Sequence, residues 1–570
     1  MKRRTSDLLA LLLAILVGFG NVYNVIVDFL RTPSGTQYLG TGRLYPPDYI
    51  GYLTFIAQGL RGNWQIFNLL SQEKTTGFWV IDWPYLLIGH LCRLFSLPVY
   101  AGYWLSVFFL TTAIVFCAYL FLRLVFEKIG KSYLVFPVLL AYIFAGPFPH
   151  IGRNPLRVID VWSLTWYYRA DFFDRISIIP HHLVANLGVL LFLIFSLSFF
   201  ESLKKAKYDW FSFRSLLYLT VSLLLIMSIS PIKLIYLLPS LGIAFIYGIF
   251  YFKLVSLRKV LVGSASLMFL VPVLFLFGLY FQKNVAVTFT PVKIAWEKSM
   301  MQWPPTAEIF FITSGPLSVL VIPAFLLIIM DIIKTKIHPG IFLGFLISLL
   351  SYALFFTKIS LLFNNHNSRL LFPDAYLFMA MVIFLALDKL MAGFKKKGRV
   401  VWLIAILLVS FSLPSFVVVL KDKLSEPMGF EGAAHLVKYL PDEIVAGMQF
   451  LGARDSTNPL VLTTTSSGLN IILPVYAQAR IYASWGLGTI DFPQKLKNSS
   501  DFFSNTLSDQ QKINFLRREK INYLIFTIYD LPPGVDRMEI KYLNELYFIS
   551  PGLPLELIFS NAKMVIYKVI

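Results

Sequence analysis

Four arginines, Arg153, Arg157, Arg169 and Arg175, stand in one stretch with Asp160, Asp171 and Asp174, and that stretch runs into Pro180-His181-His182. Guanidinium groups make bidentate contacts with phosphate oxygens, so one chemistry open to the stretch is the grip of an anionic headgroup. The other reading is internal: the arginines pair with the three aspartates and hold a large loop together. His181 and His182, with Asp171 or Asp174, also make a donor set that a divalent cation, magnesium or manganese, or zinc would accept. Further on, Asn364-Asn365-His366-Asn367-Ser368-Arg369 ends directly before an apolar run, and Lys233 follows Pro231 at the start of another. Arg369 and Lys233 stand where basic residues anchor a chain at an interface by snorkelling. Glu297, between Trp296 and Trp303, is placed to meet a sugar, although tryptophans at a membrane interface are expected in any case.

The elements that must position these residues are mostly apolar. With 57% hydrophobic residues, 14% charged and a mean hydropathy of +0.69 over 570 residues, the chain has too little polar surface for a soluble globule. Apolar runs of spanning length fall at 7–29, 99–124, 133–148, 179–200, 212–229, 233–252, 260–281, 309–330, 339–357, 370–388 and 400–420, which makes about eleven transmembrane helices. The run 83–97 is short and reads as a span or an interfacial helix. Lys2-Arg3-Arg4 opens the first run, which is long enough to be a retained span rather than a cleaved signal. With eleven spans, the clusters Lys128/Lys131, Lys204-Lys205-Lys207, Arg258-Lys259, Lys334/Lys336 and Lys395-Lys396-Lys397/Arg399 all share the side of the N-terminus, which the positive-inside rule makes cytoplasmic. Segments 30–98, 149–178, 282–308, 358–369 and everything after Lys421 are then extracytoplasmic, and the long outer loops are where functional residues are expected.

The net charge of +19 also divides unevenly. From Lys421 onward 15 basic residues balance 15 acidic ones, so the excess lies wholly in the membrane part, where it speaks for topology and against nucleic-acid binding. Cys92 and Cys117 have apolar neighbours and no metal-ligand spacing. The tail alternates helical periodicity at 442–451 and 509–520 with strand-like runs at 460–464, 523–527 and 564–569, the pattern of a small α/β domain without a glycine-rich phosphate loop. The division expected is a transmembrane part, 1–420, and an extracytoplasmic α/β domain, 421–570.

The first outer loop holds Tyr45-Pro46-Pro47-Asp48-Tyr49-Ile50-Gly51-Tyr52 and, from Gln58 to Trp64, Gln-Gly-Leu-Arg-Gly-Asn-Trp. The prolines and the apolar set Ile50, Leu53, Phe55, Ile56 and Leu60 predict a short surface helix starting at Asp48, whose carboxylate then has capping as its plainest role. Acidic residue, aromatic, x, x, Tyr, followed by Gln-Gly-x-x-Gly-Asn-Trp and then Trp83-Pro84-Tyr85-Leu86-Leu87-Ile88-Gly89-His90, resembles the multi-spanning GT-C class of glycosyltransferases, which use lipid-phosphate sugars, mannosyl- and arabinosyltransferases among them. The resemblance covers most of the chain at the level of architecture, through short motifs. It implies a GT-C-like polytopic fold and makes Asp48 the general base that takes the proton of an acceptor hydroxyl. It also makes Arg369 the late basic residue that grips the lipid phosphate, with His366 assisting; Tyr49, Tyr52, Arg153, Arg169 and Lys233 are the other expected substrate contacts, Lys233 being open equally to an anchoring role. A divalent metal on loop carboxylates is frequent in such enzymes, here Asp171 and Asp174 with His181 and His182.

The function these readings converge on is transfer of a sugar from a polyprenyl-phosphate-linked donor to a glycan, lipid or protein acceptor at the outer face. The resemblance implies a hexosyl or pentosyl transferase that inverts at the anomeric centre, and no second carboxylate nucleophile is identifiable. A ligase that moves a whole lipid-linked oligosaccharide needs the same phosphate grip. A lipid or sugar flippase, from a different class, would be expected to show internal repeats and ionisable groups at mid-membrane. The polar residues here gather instead at outer loops. A non-catalytic scaffold with a sensory outer domain is the remaining reading.

Overall fold

The structure is a computed structural model that describes residues 3–42, 44–75, 77, 81–151, 159–161, 172–204, 210–253, 264–265, 268, 270–280, 291–301, 311, 315–372, 374–424, 436, 438–504, 506–531, 539–547 and 549–570. The chain divides into two compact units, one of 1–21, 107–283 and 294–422, the other of 22–106, 284–293 and 423–570.

The first unit is helical. Each of the eleven apolar runs overlaps a helix, and six helices among the described residues are long and apolar enough to cross a membrane: Arg4–Leu30, Val99–Lys128, Pro180–Ser202, Pro231–Tyr251, Pro316–Ile333 and Lys397–Asp422. Ser132–Phe144, Arg214–Ile229, Leu270–Tyr280 and Pro339–Phe355 are shorter apolar helices. Proline opens several of them, at Pro180, Pro316 and Pro339, because the first helical position needs no amide hydrogen and suits proline's fixed φ. Ala375–Leu390 is the central rod: its residues from Ala375 to Ala386 are buried, and it packs on Val135–Phe144, Pro316–Ile333 and Pro339–Phe355. The outer helices instead expose large apolar side chains, such as Leu16 (67%), Phe250 (65%) and Leu326 (64%). Such faces are at home against hydrocarbon and costly against water.

The second unit is built on a five-stranded sheet. Arg480–Ile481, Leu460–Thr463 and Tyr523–Thr527 run parallel in that spatial order, and Met564–Val569 then Leu555–Ser560 extend the sheet antiparallel. Leu460–Thr463 and Tyr523–Thr527 are buried at every position, which is why they read as unbroken apolar runs. Asp530 clamps their ends, accepting from the Thr527 amide at 2.7 Å and from the hydroxyls of Thr527, Thr464 and Ser466. Helices Asp442–Arg454 and Asp509–Arg518 appear where periodicity placed them, the latter opened by a reciprocal capping box between Ser508 and Gln511.

The same unit takes in the loop after the first helix. Thr36–Tyr38 pairs antiparallel with Tyr439–Pro441. Farther along, the Ile481 amide donates to the Leu69 carbonyl at 3.0 Å, Thr489 Oγ1 to the Leu70 carbonyl at 2.6 Å, and Gln72 reaches Glu519. Trp83–Phe95, 13 residues and about 20 Å long, falls short of a bilayer's hydrocarbon thickness. It crosses Pro46–Leu60 at two glycines: a Cβ on Gly59 would meet the Leu86 carbonyl oxygen at 2.3 Å, and one on Gly89 the Ile56 carbonyl oxygen at 2.2 Å.

Candidate functional site

The first-loop helix begins at Pro46, two residues before the expected start, so Asp48 lies inside its first turn and Tyr45 is the cap position. Asp48 is therefore a first-turn residue and not the N-cap; it sits half-buried where the partial positive charge of the helix N-terminus favours an anion. Tyr49 is fully buried: its hydroxyl donates to the Leu39 carbonyl at 2.8 Å and its ring meets Tyr103 edge-on at 4.9 Å. Tyr52, half-buried, stacks on Tyr85 at 4.7 Å with the rings 10° from parallel. An aromatic wall thus holds the helix that carries Asp48.

The glutamine-glycine motif that follows is a brace. Gln58 donates to the Phe67 carbonyl at 3.1 Å and accepts from the Phe67 amide at 2.8 Å, closing the loop. Arg61 donates to the carbonyls of Val475 at 2.7 Å and Pro474 at 3.4 Å, capping the last turn of helix Leu469–Tyr476. Burial brings the Arg61 guanidinium down to about 10. Trp64 stacks on His90 at 3.9 Å.

In the helical unit two polar groups form. In one, Glu297 is 4% exposed at its side chain, on the helix Pro291–Ser299, and lies 2.7 Å from the Arg369 guanidinium and 3.4 Å from His366 Nε2. Arg369 keeps 30% of its side chain exposed, whereas His366 is buried. Burial and the neighbouring Arg369 push the His366 imidazole down to about 3, which leaves it neutral. In the other, Lys233 Nζ donates to Asn186 Oδ1 at 2.8 Å, and Asn186 donates to the Ile176 carbonyl at 3.2 Å. Asn186 lies one turn beyond His182 on the helix Pro180–Lys204. Asp374, fully buried, accepts from the Tyr142 hydroxyl. Arg175, 2% exposed, donates to the Tyr142 carbonyl at 2.8 Å and places its guanidinium 4.2 Å from the Tyr376 ring. That arginine is held by rings and a carbonyl, a cation–π placement.

His181 and His182 meet edge to face at 4.4 Å, and His182 Nδ1 lies 3.3 Å from Ser177 Oγ. Arg153, Arg157, Arg169 and Asp171 lie outside the described residues, and Asp174 is on the helix Phe172–Ile176 with its side chain likewise outside them. Among the described residues no three His, Cys, Asp or Glu side chains gather as a metal would need. His181 and His182 alone are too few donors for a cation site.

Sequence reading did not find the pairing of Glu297 with Arg369, the Tyr142–Asp374 contact, or the bracing role of Gln58 and Arg61. The first two join residues more than 70 positions apart, which no local pattern reports. The third had a signal, since Gln58, Gly59 and Arg61 stand together in the motif that carried the resemblance.

No protein-family description and no curated protein matches the chain. Solved structures do. Archaeal oligosaccharyltransferase AglB from Archaeoglobus fulgidus, in complex with an inhibitory peptide and a dolichol-phosphate, matches with a TM-score of 0.51 and 11% identity over 100% of this chain and 74% of that one. The Archaeoglobus fulgidus oligosaccharyltransferase tethered to an acceptor peptide containing the NVT sequon matches with a TM-score of 0.51 at 12% identity over the same shares. Its apo form matches with a TM-score of 0.51 at 11% identity over 100% and 75%. The chain has the GT-C fold these structures share, as the first-loop motifs imply.

Proposed function

We propose that this protein is a membrane glycosyltransferase that moves a sugar from a polyprenyl-phosphate-linked donor to an acceptor at the extracytoplasmic face, with inversion at the anomeric carbon. The observation that carries this reading is the whole-chain likeness to a fold whose solved example holds a dolichol-phosphate and, in another structure, an acceptor peptide. Six helices of spanning length and composition support a place in the membrane. The side on which the termini lie is inferred from the basic loops alone.

In this reading Asp48 accepts the proton of the acceptor nucleophile as that nucleophile bonds to the anomeric carbon. The bond to the donor phosphate oxygen breaks, and the electron pair leaves with the phosphate. Phosphate departs readily only when its charge is neutralised, which is the part given to Arg369, with Lys233 and the loop residues Arg153 and Arg169 adding positive charge. His366, buried and neutral, lies with its Nε2 3.4 Å from Glu297, beside the carboxylate that holds Arg369. Tyr49 and Tyr52 act by holding the helix that presents Asp48.

The likeness to oligosaccharyltransferases favours a second reading, transfer of a whole lipid-linked oligosaccharide by the same chemistry. Purified protein given radiolabelled polyprenyl-phosphate monosaccharide, or a lipid-linked oligosaccharide, with candidate acceptors separates the two by which label moves. Asp48→Asn is expected to lower turnover at least a hundredfold, with donor binding unchanged, because one positioned general base contributes about 10²–10⁴ in rate. Equal turnover by that variant removes Asp48 as the base, and movement of lipid between leaflets without any sugar transfer makes the protein a flippase.

A further inference from the structure

One end of the helical unit, where Pro316–Ile333 and Ala375–Leu390 finish and Pro339–Phe355 and Lys397–Asp422 begin, holds a cavity of about 320 Å³. Among its lining residues Asp388, 5% exposed, has Lys131 Nζ at 2.7 Å from one carboxylate oxygen and Lys397 Nζ at 2.9 Å from the other, with the Tyr133 hydroxyl donating as well. Lys389 Nζ, also in the lining, bonds Asp331 at 2.7 Å and the Leu327 carbonyl at 3.0 Å. Three lysines meet two carboxylates, so the lining keeps a positive charge after its own pairing. One to three residues along the chain from the lining stand Lys334, Lys336, Lys395, Lys396 and Arg399, which make no ion pair among the described residues and are exposed.

Positive charge here adjoins apolar surface. Ile328, Ile337 and Leu385 line the cavity, and Met330, Ile333, Leu390 and Phe394 nearby are 49–65% exposed. A free anion would use only the lysines. A molecule with an anionic head and acyl chains matches both, and basic pockets between helices on the positively charged side of membrane proteins take such headgroups.

We infer that this cavity binds the phosphate headgroup of an anionic membrane phospholipid, whose acyl chains lie along Met330, Ile333, Leu390 and Phe394. The network around Asp388 holds the lysines in place, and the exposed lysines beside it draw the headgroup in. The inference is independent of the catalytic reading and needs only that the helical unit stand in a bilayer.

Native mass spectrometry of the full-length protein in detergent, given phosphatidylglycerol and phosphatidylcholine in equal amounts, tests it. Selective retention of phosphatidylglycerol is expected, with a rise in Tm that phosphatidylcholine does not give. Each lysine removed should weaken that binding about fivefold, the equivalent of about 1 kcal/mol per charge near the surface. Lys334→Gln/Lys336→Gln/Lys395→Gln leaves the paired lysines untouched and should therefore fold normally while losing at least tenfold in affinity, and Lys389→Gln should lose severalfold. Equal retention of the two lipids overturns the inference, as does undiminished phosphatidylglycerol binding by the triple variant. Inorganic phosphate that raises Tm as much as phosphatidylglycerol overturns it too, because the acyl chains would then contribute nothing.

Discussion

Arg369 is offered as a phosphate ligand, yet it is already bound to a carboxylate. Glu297 must release or share it when a donor phosphate arrives, so the pair sets a threshold for donor binding. Glu297→Gln removes the competing charge and is expected to tighten binding of a polyprenyl phosphate severalfold. Arg369→Ala should weaken it by about 1.5–3 kcal/mol, the range for charge-assisted hydrogen bonds. Equilibrium binding to a labelled polyprenyl phosphate checks both; if Glu297→Gln weakens binding as Arg369→Ala does, Glu297 positions the arginine instead of competing for it. His366 carries a pH signature. Its pKa is depressed from 6.5 to about 3 in the folded chain, so the unfolded chain takes up its proton first as the solution is acidified. The stability it contributes is whole above pH 6.5 and is lost progressively down to about pH 3. Tm followed across that window should fall less in His366→Gln than in the parent protein. Asp48 and Arg369 could be proposed from sequence because each stands in a local pattern, an acid behind prolines and a basic residue before an apolar run. Glu297 was weighed only for sugar contact, because its partner lies 72 residues away and only the tertiary fold brings them together.

Elements were legible in proportion to their periodicity. Long apolar runs became helices, and Leu460–Thr463, Tyr523–Thr527 and Met564–Val569 became strands, since unbroken β-branched and aromatic runs between polar turns have little alternative. Arg480–Ile481 is only two residues long, and Leu555–Ser560 is a partly exposed edge strand, so neither has a pattern strong enough to read. The first-loop helix began at Pro46 and not at Asp48 because two successive prolines, with φ already helical, fit the first helical positions better than the stretch before them. Its crossing with Trp83–Phe95 depends on missing side chains at Gly59 and Gly89, where backbone meets backbone. Gly89→Ala is expected to cost about 1–3 kcal/mol through overpacking, seen as a lower Tm. It should also lower turnover, since the displaced helix is the one that carries Asp48. A variant with unchanged Tm would mean the two helices separate freely.

At the scale of the molecule, the charge division sets a clear expectation: basic loops on one side and a neutral 421–570 on the other. Alkaline phosphatase fused after Lys421 should be active and a fluorescent protein fused there dark, and the opposite pair of results reverses the proposed orientation. The partnership between the first loop and the residues after 422 was not legible, because backbone hydrogen bonds such as Ile481 to Leu69 leave no trace in composition. That partnership also orders events in time. The segment bearing Asp48 leaves the ribosome early, but Val475, Ile481 and Thr489, which fasten it, follow some four hundred residues later, roughly 20–80 s at ordinary rates of synthesis. During that interval its helices are inserted and its proposed base has no settled support. Newly made chains should therefore become active only on completion, and a chain stopped at Asp422 would keep every span yet leave the first loop without its fastening.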